Sequence, residues 1–385
     1  MKIALATGRP AHAAIPANRL HRRGEQVMLY TAAYRARFRT LEPGIQLRWV
    51  PQWVPMVHFA TGVQLPRLVQ RADTVAFDHI VAARLQPCDL YWGSATGALA
   101  SGRAAKRMGA HFVLDRACPH VDAQQSLLRT EHDRLGLRYS SEPDWFRERQ
   151  LAEYAEADAI LVPSRYSAES FPQSMRQKVF VAPLFGRVKT APPPKAADLQ
   201  RADRPFNFGM VGGNPVRKGL VYLLEAWEQL RLPHARLLLR TDASLEKIPA
   251  LRAVLRRSTN VERVEYCRDL RDFYARCDAF VLPTVDDGFG MALLEAIAQG
   301  LPAITTTRCG AAELLRADEE ILVVPPQNPT ALAAAMEQLY RSHELRERLS
   351  SNARVALETI ESGGEYAFYA QGVDSMLAWL EQTSR

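Results

Sequence analysis

Two series of short apolar runs, each followed by a helical stretch, constrain this 385-residue chain more than any other feature. The first series is Lys2–Ala6, Gln26–Tyr30, Ile45–Val50, Leu90–Trp92, His111–Leu114, Ala159–Val162 and Lys178–Val181. The second is Phe206–Val211, Arg236–Leu239, Asn260–Val264, Ala279–Leu282, Pro302–Thr305 and Glu320–Val324. Apolar runs this short, bounded by turn residues, predict buried strands. A parallel strand pair needs a crossover of about a dozen residues or more, so strand–helix alternation predicts doubly wound parallel sheets. Between the series, Gly186 to Pro205 carries Pro192-Pro193-Pro194 and no apolar period, which predicts a linker. The expected fold class is therefore α/β, with domains at 1–188 and 189–366 facing a cleft and a last helix from Ala367 to Gln382.

Composition narrows the function classes. A hydrophobic content of 47% with 24% charged residues fits a globular protein large enough for two cores. The five cysteines, Cys88, Cys118, Cys267, Cys277 and Cys309, are odd in number and widely spread, which argues for a reducing cytoplasm and against a disulfide frame or zinc site. No basic segment followed by a long apolar one opens the chain, and the uncharged stretch Trp49 to Pro66 is too rich in proline and amides to span a bilayer. Residues 1–188 hold 25 Lys and Arg against 16 Asp and Glu, whereas the remainder holds 24 against 26. Arg9, Arg19, Arg22, Arg23, Arg35, Arg37, Arg39 and Arg48 concentrate the excess. Such a face is either plain solvated surface or a site for anionic partners, including an anionic membrane touched peripherally. The aromatic, proline-rich segment Trp49 to Phe59 beside it reads as a packed loop or an acceptor-binding one. No nucleic-acid motif accompanies the charge, so nucleic acid is not the expected partner.

Two strand-to-helix turns carry the chemistry. The run Ala279–Leu282 passes Pro283-Thr284, Asp286 and Asp287, then turns through Gly288 and Gly290 into a helix ended by Gly300 and Pro302. Such a turn offers free amides and the positive end of a helix dipole, a ready phosphate site around Gly290 and Met291. Glu295 has Met291, Ala292, Ala298 and Gln299 as helical neighbours, so its carboxylate calls for a partner, and the ribose of a nucleotide is one. Phe206–Val211 runs into Gly212-Gly213, then Arg217-Lys218-Gly219 at the start of a second helix. Two cations there oppose the dipole unless an anion binds; the plainer alternative is a solvated basic pair. His111–Leu114 leads into Asp115-Arg116-Ala117-Cys118-Pro119-His120, a loop that would direct His120 at the cleft. No His or Cys accompanies the acids at ligand spacing, so no metal is expected. Neither a dinucleotide fingerprint nor a Walker A sequence is present.

Asp287-Gly288-Phe289-Gly290, Leu294-Glu295-Ala296 and Gly300-x-Pro302 together resemble the Glu-x7-Glu motif of glycosyltransferase family 4. Arg217-Lys218-Gly219 with Leu224-Glu225-Ala226 is similar to that family's phosphate-binding segment. Thr305 through Glu313, and Tyr154 through Ser164 with Phe171, also resemble bacterial members. The resemblance implies a GT-B fold of two Rossmann-like domains, with the last helix, 367–385, returning to the first. It implies a retaining transferase that takes a nucleoside-diphosphate sugar as substrate and requires no metal or other cofactor. It further implies that Glu295 binds the donor ribose, that Asp287 and His120 meet the donor sugar, and that Lys218, with Arg217, offsets the diphosphate held by the amides at Gly290 and Met291.

Two departures stand out. The first acid is Asp287 and not Glu, so either the sugar sits closer or Asp286 assists. The arginine expected just after the phosphate-loop glycine is absent, and Gly213 is nearest to its place. The expected activity is transfer of a hexose to a glycan or glycolipid hydroxyl in cell-surface polysaccharide synthesis, in the cytoplasm. The alternatives are a sugar-nucleotide epimerase of the same fold and a non-catalytic nucleotide-sugar-binding subunit.

Overall fold

A computed structural model of the chain describes residues 1–8, 10–33, 41–54, 65–183, 204–241, 245, 248–258, 260–265, 269–362 and 367–383. The expectations for Arg9, Arg35, Arg37, Arg39, Cys267, the segment from Met56 to Phe59 and most of the linker lie outside these residues.

All thirteen apolar runs form strands. In the first half they are β1 (Lys2–Thr7), β2 (Gln26–Thr31), β3 (Gln46–Trp49), β4 (Leu90–Ser94), β5 (His111–Asp115), β6 (Ala159–Val162) and β7 (Val179–Val181). They make one sheet in the order β3-β2-β1-β4-β5-β6-β7, every pairing parallel. The second half holds β8 (Phe206–Val211), β9 (Ala235–Arg240), β10 (Val261–Arg263), β11 (Ala279–Leu282), β12 (Ala303–Thr306) and β13 (Leu322–Val324). Its order is β10-β9-β8-β11-β12-β13, again parallel.

Central strands are apolar throughout because helices cover both faces. Phe112, Val113 and Leu114 of β5 and all four residues of β11 are completely buried. In each sheet the order in which the chain adds strands reverses once, between β1 and β4 and between β8 and β11, and ligands of open α/β sheets lie outside the strands' carboxyl ends at such points. The loops after β8 and β11, which carry the two motifs, leave neighbouring strands at that reversal. The candidate residues meet for this reason.

One apolar cluster runs through both halves, from Ile3 and Leu5 to Phe280, Leu293 and Leu357. The helix Ala367–Thr383 contributes Val373, Met376 and Leu377 to it and lies against β6 and β7. Gly372 lets this helix approach the sheet backbone: a Cβ there would stand 2.0 Å from the Val181 carbonyl oxygen. Asp374 adds a salt bridge to Arg19 at 2.6 Å, fastening the end of the chain to its first helix.

Candidate active site

The turn after β11 is stitched to the loop after β8 by backbone. The Arg217 carbonyl accepts hydrogen bonds from the amides of Val285 (2.9 Å) and Asp286 (3.3 Å) and from the Thr284 hydroxyl (3.0 Å). Gly219 permits the contact. It has φ +68°, and a Cβ there would lie 1.9 Å from the Pro283 carbonyl oxygen. Gly290, with φ +91°, starts the helix Met291–Ala298 in the left-handed region and packs on Cys309. The first amides of that helix have no intrahelical acceptor.

Four charges converge between the loops. Arg217 Nε donates to Asp286 at 2.9 Å, its Nη2 lies 4.0 Å from Asp287, and Lys218 Nζ pairs with Asp287. Asp286 is fully buried and Asp287 nearly so. The anion that Arg217 and Lys218 call for is therefore supplied by the chain's own carboxylates. Burial alone would lower the Arg217 pKa, but Cys118, Asp286 and Asp287 outweigh it and raise the pKa, so the guanidinium stays charged. Asp286 also accepts from Gln124 Nε2 at 2.6 Å and from the Tyr166 hydroxyl at 2.8 Å. Both oxygens are bonded, and through Gln124 and Tyr166 Asp286 binds the two halves together.

The remaining candidates are arranged around this centre. Glu295, half-buried in its helix, accepts from the Tyr274 hydroxyl at 3.1 Å, and its other oxygen has no protein partner among the described residues. Gly213 is exposed, with open space where a side chain would begin. His120 is 3% exposed and caps the helix Val121–Arg134. Its Nδ1 accepts from the Asp122 amide at 3.3 Å, and its ring packs against Tyr154 and Phe171 with centroids 4.9 and 5.1 Å away. Burial lowers its pKa; Asp122 opposes this, while Arg116 and Arg147 reinforce it. The ring is thus neutral with its proton on Nε2, and that buried donor has no partner among the described residues.

Several cleft residues carry no signal in the sequence. Gln124 and Tyr166 reach Asp286 from the first half. Glu131, wholly buried, accepts from the Tyr222 hydroxyl (2.5 Å) and from the Gln327 amide of the second half. Glu313 is an exception, because it closes the motif that begins at Thr305. Its carboxylate accepts the amides of Arg165 and Tyr166, each at 2.7 Å, across the cleft. The Ser164 hydroxyl returns a bond to the Gly288 carbonyl at 2.7 Å.

Two parallel α/β halves closed on one another at the carboxyl ends of their strands constitute the GT-B fold. Over its whole length the chain superposes on sucrose-phosphate synthase from Thermosynechococcus elongatus, covering 100% of both chains with a TM-score of 0.72 at 18% identity. It superposes likewise on HepE of Anabaena, solved in complex with UDP and glucose, covering 98% of this chain and 99% of that one with a TM-score of 0.67 at 16% identity. In sequence, residues 205–342 match the family described as Glycosyl transferases group 1, a span that holds every candidate residue except His120. The chain is 30% identical over 159 residues to the capsular polysaccharide biosynthesis glycosyltransferase CapM of Staphylococcus aureus, covering 40% of this chain and 41% of that protein. It is 31% identical over 166 residues to the lipopolysaccharide core biosynthesis glycosyltransferase LpsE of Rhizobium meliloti, covering 42% and 48%. Each of these two alignments spans less than half of the relative's length.

Proposed function

We propose that this chain is a retaining glycosyltransferase of family 4 that moves a hexose from a nucleoside-diphosphate sugar to an acceptor hydroxyl in the synthesis of a cell-surface polysaccharide or glycolipid. The observation that carries the reading is the meeting of Lys218 and Arg217 with the amino end of the helix Met291–Ala298, one turn from Glu295. Cations and unpaired amides at one point suit a diphosphate, and a carboxylate with a spare oxygen suits the hydroxyls of a ribose. The UDP in the Anabaena structure and the polysaccharide role in the CapM name support the same reading.

The mechanism follows from the pairs already formed. The donor diphosphate exchanges with Asp287 for Lys218, which releases the Asp287 carboxylate toward the donor sugar. As the glycosidic bond breaks, Lys218, Arg217 and the amides at Gly290 and Met291 stabilise the charge growing on the leaving phosphate. His120, donating from Nε2, orients the sugar from the opposite half. Closure of the halves excludes water and suppresses donor hydrolysis. No residue is assigned as a covalent nucleophile, and the reading gives no metal a part in the step. The reading places the protein in the cytoplasm, its arginine-rich half free to touch an anionic membrane. No helix among the described residues is long and apolar enough to cross one.

Titration calorimetry with a panel of nucleoside-diphosphate sugars tests this directly. One donor should bind, and Glu295→Ala should weaken it at least tenfold; unchanged affinity removes the ribose role. Nucleotide release that depends on added acceptor identifies a transferase. Unaided conversion of the donor to its epimer identifies an isomerase, and binding with neither reaction identifies a non-catalytic subunit.

A further inference from the structure

A cavity of about 380 Å³ opens at the carboxyl ends of β1, β4 and β5, within the size range of small-molecule clefts. Its walls include Thr7, Gln52, Asp73, Asp115, Arg116 and Cys118. It adjoins the site described above. Ala117 and Cys118, which line it, are the residues Gly288 packs on: a Cβ at Gly288 would lie 2.6 Å from the Ala117 oxygen and 3.0 Å from the Cys118 Cα. Whatever fills the cavity lies beside the turn from Asp287 to Gly290.

The polar groups of this cavity have a definite sign. Arg116 is the one cation among its described lining residues, and its guanidinium is spent on the protein. Nε and Nη2 donate to the Pro119 carbonyl at 3.2 and 3.0 Å, and Nη1 donates to Gln150 at 3.0 Å. Asp73 accepts the amides of Trp53 (2.8 Å) and Val54 (3.3 Å), which fixes the wall that carries Gln52. The Gln52 side chain is buried and has no protein hydrogen bond among the described residues. Among the described residues the Asp115 carboxylate receives one long bond, from Trp92 Nε1 at 3.4 Å. Among the described residues, two carboxylates and a carboxamide without a protein hydrogen bond thus line a small space, and the one further cation at its rim is Arg217, whose Nη2 lies 3.9 Å from the Cys118 sulfur and whose Nε is paired with Asp286.

We propose, resting on the transferase reading, that this cavity seats the acceptor and that the ring it takes is an uncharged, hydroxyl-rich sugar and not a phosphorylated one, with Asp115 and Gln52 binding its hydroxyls. Sugar hydroxyls give the Asp115 carboxylate the charge-assisted bonds it lacks and satisfy both ends of the Gln52 amide. A phosphate in the same place meets like charge at short range, and the guanidiniums beside it are already engaged, Arg116 by Pro119 and Gln150 and Arg217 by Asp286.

Titration of Asp115 gives the proposal its signature. Burial raises its pKa to about 6, and the Trp92 bond only partly opposes this. The groups around it do not supply a counter-charge. Arg116 points at Pro119 and Gln150, and Asp73 is an acid. Tyr369 of the last helix is neutral, its own pKa raised by burial and then by Asp115, with Arg19 opposing. Above about pH 6 Asp115 is a carboxylate that favours hydroxyls and repels phosphate; below it, both preferences fade.

The test is ligand-observed saturation-transfer NMR on the full chain. The probes are methyl glycosides of glucose, galactose, mannose and N-acetylglucosamine, each beside its 6-phosphate, at pH 7.5 and pH 5. At pH 7.5 at least one neutral glycoside should bind, at least tenfold more tightly than its phosphate. At pH 5 the neutral ring should bind severalfold more weakly than at pH 7.5. Asp115→Asn should weaken the neutral ring about tenfold at pH 7.5 and leave its affinity unchanged at pH 5, which a merely structural role would not do. Gln52→Ala should weaken the neutral ring without changing the pH dependence. A phosphorylated ring that binds as tightly as its neutral partner at pH 7.5, no neutral ring bound, or a neutral-ring affinity that still falls at pH 5 in Asp115→Asn overturns the proposal. Donor calorimetry on the same samples separates the two readings: donor binding with no glycoside binding removes the acceptor assignment alone.

Discussion

Asp287 is held between a lysine and an arginine, and what happens to that cluster when one member is removed distinguishes structural from catalytic roles. Lys218→Ala leaves Asp287, only 7% exposed, with Arg217 Nη2 at 4.0 Å as its nearest remaining cation. If Lys218 stabilises the leaving phosphate, kcat at saturating donor falls by roughly 100-fold or more, the scale seen when one preorganised donor is lost from a transition state. A variant that folds, as judged by circular dichroism, and keeps its kcat removes Lys218 from the chemistry. Gly213 allows the opposite experiment. Its Cβ position meets nothing within 4 Å and its φ is not left-handed, so Gly213→Arg fits without strain. If the loop faces a diphosphate, the added guanidinium tightens donor binding by roughly tenfold, the effect of one charge-assisted hydrogen bond. Calorimetry showing no gain means the loop faces elsewhere. The sequence offers Lys218, Gly290 and Glu295 as candidates because each lies in a short motif at a strand's carboxyl end. It does not reveal the partners of Asp286, because Gln124 and Tyr166 lie 162 and 120 positions away and share no period with it.

At the scale of the element, the strands are legible because both faces of each sheet are covered, so the inner strands need apolar residues without interruption. The edge strand β3 shows the limit. Its burial pattern is mostly exposed, and it spans Gln46–Trp49, shorter than the run Ile45 to Val50 from which it was read. Contact between two loops has no counterpart in hydropathy, and here it rests on one glycine. Gly219 combines a left-handed φ with a backbone carbonyl 1.9 Å from where a Cβ would stand. Gly219→Ala must therefore push the loop after β8 away from Pro283, at a cost of roughly 2–5 kcal/mol from strain and overpacking together. The expected result is a lower urea midpoint and donor binding weakened even in the folded fraction, since Arg217 and Lys218 move with the loop. Equal stability and equal donor affinity would show that the two loops are not coupled.

For the whole molecule, the closed cleft is held by carboxylates that each accept from the opposite half: Asp286 from Gln124 and Tyr166, Glu131 from Tyr222 and Gln327, Glu313 from the amides of Arg165 and Tyr166. A hydrogen bond to a charged group contributes about 1.5–3 kcal/mol, so losing one shifts a closed–open equilibrium by roughly 10- to 100-fold. Tyr166→Phe removes one such bond and leaves the Arg217–Asp286 pair of the second half intact. Tyr222→Phe removes another at a distance from the first, so the two effects should add. Because the proposed donor contacts lie mostly in the second half, donor affinity should stay within a fewfold of wild type in both variants. Transfer should slow, and donor hydrolysis should rise relative to transfer as water enters. Small-angle scattering of the double variant should show a larger radius of gyration than the wild type. An unchanged scattering curve together with an unchanged hydrolysis ratio would mean that the apolar cluster shared by the halves, and not these carboxylates, keeps the cleft shut.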